Sequence, residues 1–250
     1  MGYDFKIRRD PLLERSLPDK ETNFSIICCE DSVVAGIDEA SDLFSSAGAD
    51  PSPLAKDGDR VRTGTRVLSV YGSAGSVLSC RSAALAILSR MSGIASYTAD
   101  LVDQAAGRII IAAPACLTPG LEDQERKAVL LGGGDPNAGP VTLTREHIKL
   151  CGGMRNAMER ISEASFAVKI RAEAGSPEDA ALAVSMGADI ISVRGTPEKC
   201  AEIGGAAGGG RIVEAAGDIG NPLDYIGIAD AVSPDGIITL SGYRKFRMDL

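Results

Sequence analysis

The chain has 250 residues, 44% hydrophobic and 24% charged, a balance that suits one large folded domain or two modest ones and argues against disorder. Its formal net charge of -8 argues against a general nucleic-acid surface, because phosphate binding needs a concentrated excess of Lys and Arg. The longest apolar runs, such as residues 108–115, are too short to cross a bilayer, and the N-terminus MGYDFKIRRD lacks the apolar stretch of a signal peptide, so a cytoplasmic protein without nucleic-acid or membrane partners is expected.

Short strand-like segments surround one helix in the first part of the chain. Residues 33–47 place Val33, Val34, Ile37, Ala40, Leu43, Phe44 and Ala47 on one helical face, and Gly48 follows as a stop signal. Residues 56–80 contain two Gly-marked turns, and the alternation of Val61, Val67, Leu68 and Val70 predicts a small curved sheet. A long helical run follows over residues 81–106.

The character then changes near residue 97. RIIIAAPA, FAVKIRAE, DIISVRG and RIVEAAG read as strands, and helical patterns follow the first three around residues 124–131, 177–186 and 197–203. Strands buried on both faces read as continuous apolar runs, and intervening helices are the crossovers that a parallel sheet needs. Residues 108–241 thus have the rhythm of a βα barrel, though they are short for eight full units. The glycine-rich piece at 204–210 lacks the strand-glycine-helix order of a phosphate cradle and reads as a loop or helix end.

Functional side chains in such a barrel sit at the C-terminal ends of strands. That rule selects Ala115 and Cys116, Lys149, Glu173, Arg194, the turn from Glu214 to Gly217, and residues 239–241. Alternation along FAVKIRAE puts Lys169, Arg171 and Glu173 on one face of the strand, so an anion pocket built from Lys169, Arg171 and Arg194 is geometrically allowed. The six cysteines include no CxxC pair and the one histidine is His147, so no zinc site is expected; most of the thiols read as small buried apolar groups.

Two stretches carry a family resemblance: LSRMSGIASYTADLV at residues 88–102, and TPGLEDQERKAVLLGGG at residues 118–134. They resemble the core signature of the quinolinate phosphoribosyltransferases, also called nicotinate-nucleotide pyrophosphorylases, and the similarity extends over about residues 33–250. The resemblance implies an N-terminal α/β sandwich over residues 1–97, an incomplete (β/α) barrel over 98–241, and a tail, 242–250, that returns to the first domain. It further implies a dimer or higher homo-oligomer, transfer of a phosphoribosyl group from phosphoribosyl pyrophosphate to the nitrogen of quinolinate with loss of carbon dioxide, and use of Mg²⁺.

Carried over residue by residue, the resemblance makes Glu173 and Lys149 the catalytic candidates. Glu173 would face the ribose or the metal, while Lys149 and Arg81 would meet phosphate. Thr118 belongs to the retained Thr-Pro-Gly, Glu214 and Gly217 to a Glu-Ala-Ser-Gly-Gly turn, and Gly236, Thr239 and Ser241 to the expected 5-phosphate cradle; Arg171 and Arg194 complete the candidate binding set. Much of the charged chemistry departs from the pattern. The Arg-Lys-Thr before Thr-Pro-Gly reads Ala115, Cys116 and Leu117, the His-Arg pair after the triple glycine falls within Asp135 to Ala138, and the Leu-Asp-Asn strand end reads Val193, Arg194 and Gly195. Removing an acid weakens any Mg²⁺ site, and an Arg194 beside Glu173 is expected to form an internal ion pair there. Two functions follow as expectations: a divergent phosphoribosyltransferase acting on a nitrogen heterocycle other than quinolinate, or a non-catalytic relative that senses a ligand or binds a partner.

Overall fold

A computed structural model describes residues 20–165 and 167–250, together with Leu12, Ser16 and Leu17. The chain folds into two compact units. The first comprises residues 1–99, 130–133 and 241–250, and the second residues 100–129 and 134–240.

In the first unit, strands β1 (Glu21–Cys28), β3 (Asp50–Pro53), β5 (Arg66–Ser73) and β12 (Phe246–Asp249) form one antiparallel sheet in the order β12-β1-β5-β3. The C-terminal segment is thus a strand of this sheet, with Ile26 paired to Met248 and Cys28 to Phe246. Strands β2 (Ser32–Val33) and β4 (Arg60–Val61) make a separate pair.

Helix α1 (Ile37–Ser46) turns Ile37, Ala40, Leu43 and Phe44 into the core. It begins later than the sequence periodicity suggests, because Val33 is already in β2 and Gly36 stands at the N-cap with φ 99. A Cβ at Gly36 would lie 3.1 Å from Met91 Sδ, and the Ile37 N–H is satisfied by Asp57 Oδ1 at 2.8 Å in place of a capping side chain. Residues 74–80, expected in the curved sheet, instead open the 32-residue helix α2 (Ala74–Ala105). By length and composition α2 could cross a membrane; Val77, Cys80, Ala84, Leu88, Met91, Ile94 and Ala95 are nevertheless buried, as in a core helix.

The SGIA motif lies at the middle of α2, where its small and hydroxyl residues fasten neighbouring backbone. Ser92 Oγ accepts from the Ala35 N–H at 3.0 Å, and Ser96 Oγ accepts from the Val33 N–H at 2.9 Å. Gly93 lets the chain pass at Gly242, since a Cβ there would lie 2.4 Å from the Gly242 carbonyl oxygen. Gly132 does the same on the other side, where a Cβ would meet Ala95 O at 2.5 Å.

The second unit holds a six-stranded parallel sheet ordered β6-β11-β10-β9-β8-β7, built from β6 (Ile110–Ile111), β7 (Val141–Leu143), β8 (Ile170–Glu173), β9 (Ile190–Arg194), β10 (Ile212–Gly217) and β11 (Ala231–Pro234). A parallel bridge from Ala112 to Asp135 extends it beyond β6. Helices α3 (Glu122–Leu131), α4 (Arg145–Leu150), α5 (Met154–Ala164), α6 (Pro177–Ser185), α7 (Pro197–Ala206) and α8 (Gly236–Thr239) and a 3-10 turn at Pro222–Tyr225 connect the strands. Gly204 and Gly205 belong to α7, where Gly204 admits the Val213 side chain.

Local capping starts the helices that follow β7, β8 and β9. Thr144, Ser176 and Thr196 are N-caps whose side chains accept from the backbone of His147, Asp179 and Lys199, and Pro177 and Pro197 occupy the first helical turn. The strands are buried, but their residues divide by face. Glu173 pairs in register with Ser192, and Ser192 with Glu214, so these three residues point to one side, together with Arg171 and Arg194 two positions away. Ala172, Ile191, Val193, Val213 and Ala215 take the other, wholly apolar side.

Replacing Gly93 by Ala forces a methyl group against the Gly242 backbone. A loss of about 1–3 kcal/mol is expected, read as a fall in the thermal midpoint with the secondary structure of the remaining folded protein unchanged.

Candidate functional site

The polar face of the parallel sheet gathers at its C-terminal end. Neighbouring strands are spaced by roughly 4.8 Å, which sets the backbones at Glu173 and Glu214, two strands apart at the same level, about 10 Å from each other. Both acids are buried, and both are neutralised from within the chain.

Glu214 Oε2 lies 2.8 Å from Arg171 Nε, a contact of charge with charge not aligned as a hydrogen bond, and both side chains are more than nine-tenths buried. Asn137 completes this group. Its side-chain carbonyl accepts from the Arg171 guanidinium, and its amide donates to Glu214 Oε1 at 3.2 Å and to Ala113 O at 2.8 Å. Asn137 adopts φ 54, a left-handed conformation that Asn tolerates better than most residues. Its backbone N–H donates to Asp135 Oδ1 at 2.6 Å, and its carbonyl oxygen accepts from Arg126 at 3.0 Å.

Glu173 has two other partners. Arg145 Nε lies 3.0 Å and Arg194 Nε 3.4 Å from Glu173 Oε1, while the Arg145 backbone N–H donates to Oε2 at 3.3 Å. The expected pairing of Arg194 with Glu173 is therefore present. Room for it comes from Gly217, whose φ is 98 and where a Cβ would lie 2.8 Å from Arg194 Nη1. The neighbouring Gly195 carbonyl accepts from the Tyr225 hydroxyl at 2.6 Å.

Several expectations change once the strands are placed. Lys149 is not at a strand end: β7 stops at Leu143, and Lys149 is an exposed residue of α4 with no ion pair among the described residues. Arg145, two residues past the end of β7, is the site residue that strand-end counting from Lys149 misses. Arg171 is sealed by Glu214 and Asn137, and Lys169 is exposed before the first residue of β8, so Lys169, Arg171 and Arg194 do not form a joint anion pocket. Gly236 opens α8 two residues after the end of β11, and Thr239 ends that helix, where its hydroxyl donates to Asp235 O at 3.1 Å.

Thr118 has a local duty. Pro119 and Gly120, the latter at φ 83, form a turn closed by the Leu121 N–H on Thr118 O, and Thr118 donates to buried Glu125 from its backbone at 2.8 Å and its hydroxyl at 2.7 Å. Arg81 and Ser241 belong to the first unit. Arg81 lines a cavity of about 820 Å³ with Lys20, Thr22, Leu78 and Asp249, and the Ser241 hydroxyl is buried without a partner among the described residues.

Residues 10–92 match the family described as quinolinate phosphoribosyl transferase, N-terminal domain, and residues 94–222 match the C-terminal domain of the same family. The chain belongs to the quinolinate phosphoribosyltransferase family. A probable nicotinate-nucleotide pyrophosphorylase (carboxylating) of Archaeoglobus fulgidus is 34% identical over 195 residues, 75% of each chain. A protein of Methanothermobacter thermautotrophicus with the same description is 33% identical over 66% of this chain and 62% of its own length. Among solved structures, NadC from Streptococcus pyogenes superposes with a TM-score of 0.83 at 26% identity, covering 97% of this chain and 90% of that one. The nicotinate-nucleotide pyrophosphorylase of Francisella tularensis has a TM-score of 0.86 at 19% identity over 98% and 91%, which shows the fold. The architecture is accordingly the family's α/β sandwich followed by an incomplete (β/α) barrel.

The Mg²⁺ that the family implies does not fit these strand ends. A hard divalent cation takes carboxylate and water oxygens at about 2.0–2.1 Å, and all four carboxylate oxygens of Glu173 and Glu214 already face nitrogen donors. No cluster of three or more His, Cys, Asp or Glu suited to a metal occurs among the described residues.

Two outcomes test this description. Arg171→Met leaves Glu214 buried without its cation and is expected to destabilise the fold by about 3–5 kcal/mol, measured by denaturant unfolding, whereas Arg145→Met at the more exposed pair falls well below that. Burial pushes the Cys200 thiol up to about 11, while Cys116 is exposed. Native alkylation at pH 8 followed by mass spectrometry is expected to label Cys116 and to spare Cys200 until the protein is denatured.

Proposed function

We propose that this chain is a divergent phosphoribosyltransferase that moves a phosphoribosyl group from phosphoribosyl pyrophosphate to the ring nitrogen of a heterocycle less acidic than quinolinate. Family membership and relatives described as nicotinate-nucleotide pyrophosphorylases support the reaction class. The observation that carries the change of acceptor is the substitution of cations around a retained acid pair: Ala115, Cys116, Asn137 and Ala138 stand where the family's pattern supplies cationic donors, while Glu173 and Glu214 persist. Each missing charged hydrogen bond withdraws about 1.5–3 kcal/mol of anion binding. A doubly carboxylated pyridine loses most from that change, and a neutral or singly charged ring loses least.

In this reading Glu173 faces the positive charge that develops at the anomeric carbon as pyrophosphate leaves, and Arg145 and Arg194 turn their outward N–H groups to the departing phosphates. The protein is a cytoplasmic homo-oligomer, a dimer at the smallest, with small-molecule partners only. A second reading, a non-catalytic ligand-binding relative, draws on the completeness with which the two carboxylates are already paired.

Calorimetric titration with phosphoribosyl pyrophosphate, with and without Mg²⁺, separates them. Binding in the millimolar range or tighter, weakened at least tenfold by Glu173→Ala, together with nucleotide formation from nicotinate exceeding that from quinolinate, is the expected result. No binding at millimolar donor leaves the non-catalytic reading. Turnover of quinolinate above that of every monocarboxylate overturns the proposed acceptor.

A further inference from the structure

We infer that Arg145, Arg171 and Arg194 occupy the electrostatic position of a divalent cation at the strand ends, so that whatever this site binds, it binds without a bridging metal. This inference does not depend on the phosphoribosyltransferase reading, because it concerns the carboxylates themselves and not the reaction.

Three observations carry it. Each oxygen of Glu173 and Glu214 has a nitrogen donor of the chain beside it: Arg145 and Arg194 at Glu173 Oε1, the Arg145 N–H at Oε2, Arg171 at Glu214 Oε2 and Asn137 at Oε1. One of the three guanidinium groups is held by geometry that a mobile surface pair lacks: Arg171 is 6% exposed and shares Asn137 with Glu214, while Gly217 leaves open the space in which the tip of Arg194 lies. The third observation is the shortage of replacement ligands. Glu146, an acid on the Arg145 helix, is exposed, and its carboxyl is held below the usual range first by the Thr144 hydroxyl, then by its own backbone N–H and by Arg145 and Arg194. One carboxylate at the edge of two guanidinium groups is a poor metal site, because the cation must displace or approach like charges that cannot be deprotonated.

A divalent cation would therefore compete with fixed positive charge. The outward faces of Arg145 and Arg194, whose side chains are 44% and 39% exposed, remain to contact an anionic group of a ligand directly. The class of ligand chemistry this favours is a phosphate or carboxylate presented to planar donors, with no metal between.

The test uses Mn²⁺ as an electron paramagnetic probe on the full-length protein. The wild type is expected to show no Mn²⁺ site that Glu173→Gln removes; weak binding elsewhere on an acidic surface is unaffected by that substitution and is subtracted by it. Arg145→Asp with Arg194→Asp is expected to create a site at least tenfold tighter than any in the wild type, abolished when Glu173→Gln is added. Should the double variant fail to fold by circular dichroism, Arg194→Asp alone takes its place, with the same direction of change. A wild-type Mn²⁺ site lost in Glu173→Gln overturns the inference, and so does a folded charge-reversed variant that gains no metal. The readout is metal occupancy alone, so a protein that neither binds nor turns over phosphoribosyl pyrophosphate defeats the functional proposal and leaves this one standing.

Discussion

The buried pair of Arg171 and Glu214 is the constraint around which the second unit is organised. Two charges removed from water inside a parallel sheet are tolerated only with close partners, and the surrounding chain supplies them: Asn137 bridges both, and Arg126 in turn holds the Asn137 backbone. The left-handed Asn137 and the bridge from Ala112 to Asp135 place that segment at the edge of the sheet. A local loop conformation is thereby coupled to the charge balance of two central strands.

The same balance separates scaffold from chemistry. SGIA, the Thr-Pro-Gly turn and the triple glycine are family signatures, yet each has a packing role here. Ser92 and Ser96 hold the backbone of residues 33–35, Gly93 and Gly132 permit close chain passage, and Thr118 secures Glu125. Their retention is explained by the fold without reference to a substrate. The strand-end positions follow a different logic: Arg145, Arg171 and Arg194 neutralise Glu173 and Glu214 from within the chain.

Alternation along FAVKIRAE places Arg171 and Glu173 on one strand face, and with Ser192 and Glu214 they form a polar face that is nonetheless out of water. Internal neutralisation makes this possible. A charged residue whose partner is on another strand looks exposed in sequence and is buried in the fold.

The sequence by itself determined the family, the order of strands and helices over most of the chain, and the placement of Glu173 and Arg194 at strand ends, because local propensity and periodicity act over a few residues; Glu214, expected in a turn, lies inside β10. Tertiary structure decided what those charges do. The short β7, too brief for a periodic signal, fixed that Arg145 reaches Glu173; the placing of β8 and β10 on either side of β9 brought Arg171 to Glu214; and the return of the C-terminal segment made Phe246–Asp249 a strand of the first sheet. Pairings between residues dozens of positions apart are set by sheet register and by the relief of buried charge, neither of which is written in any short stretch of sequence.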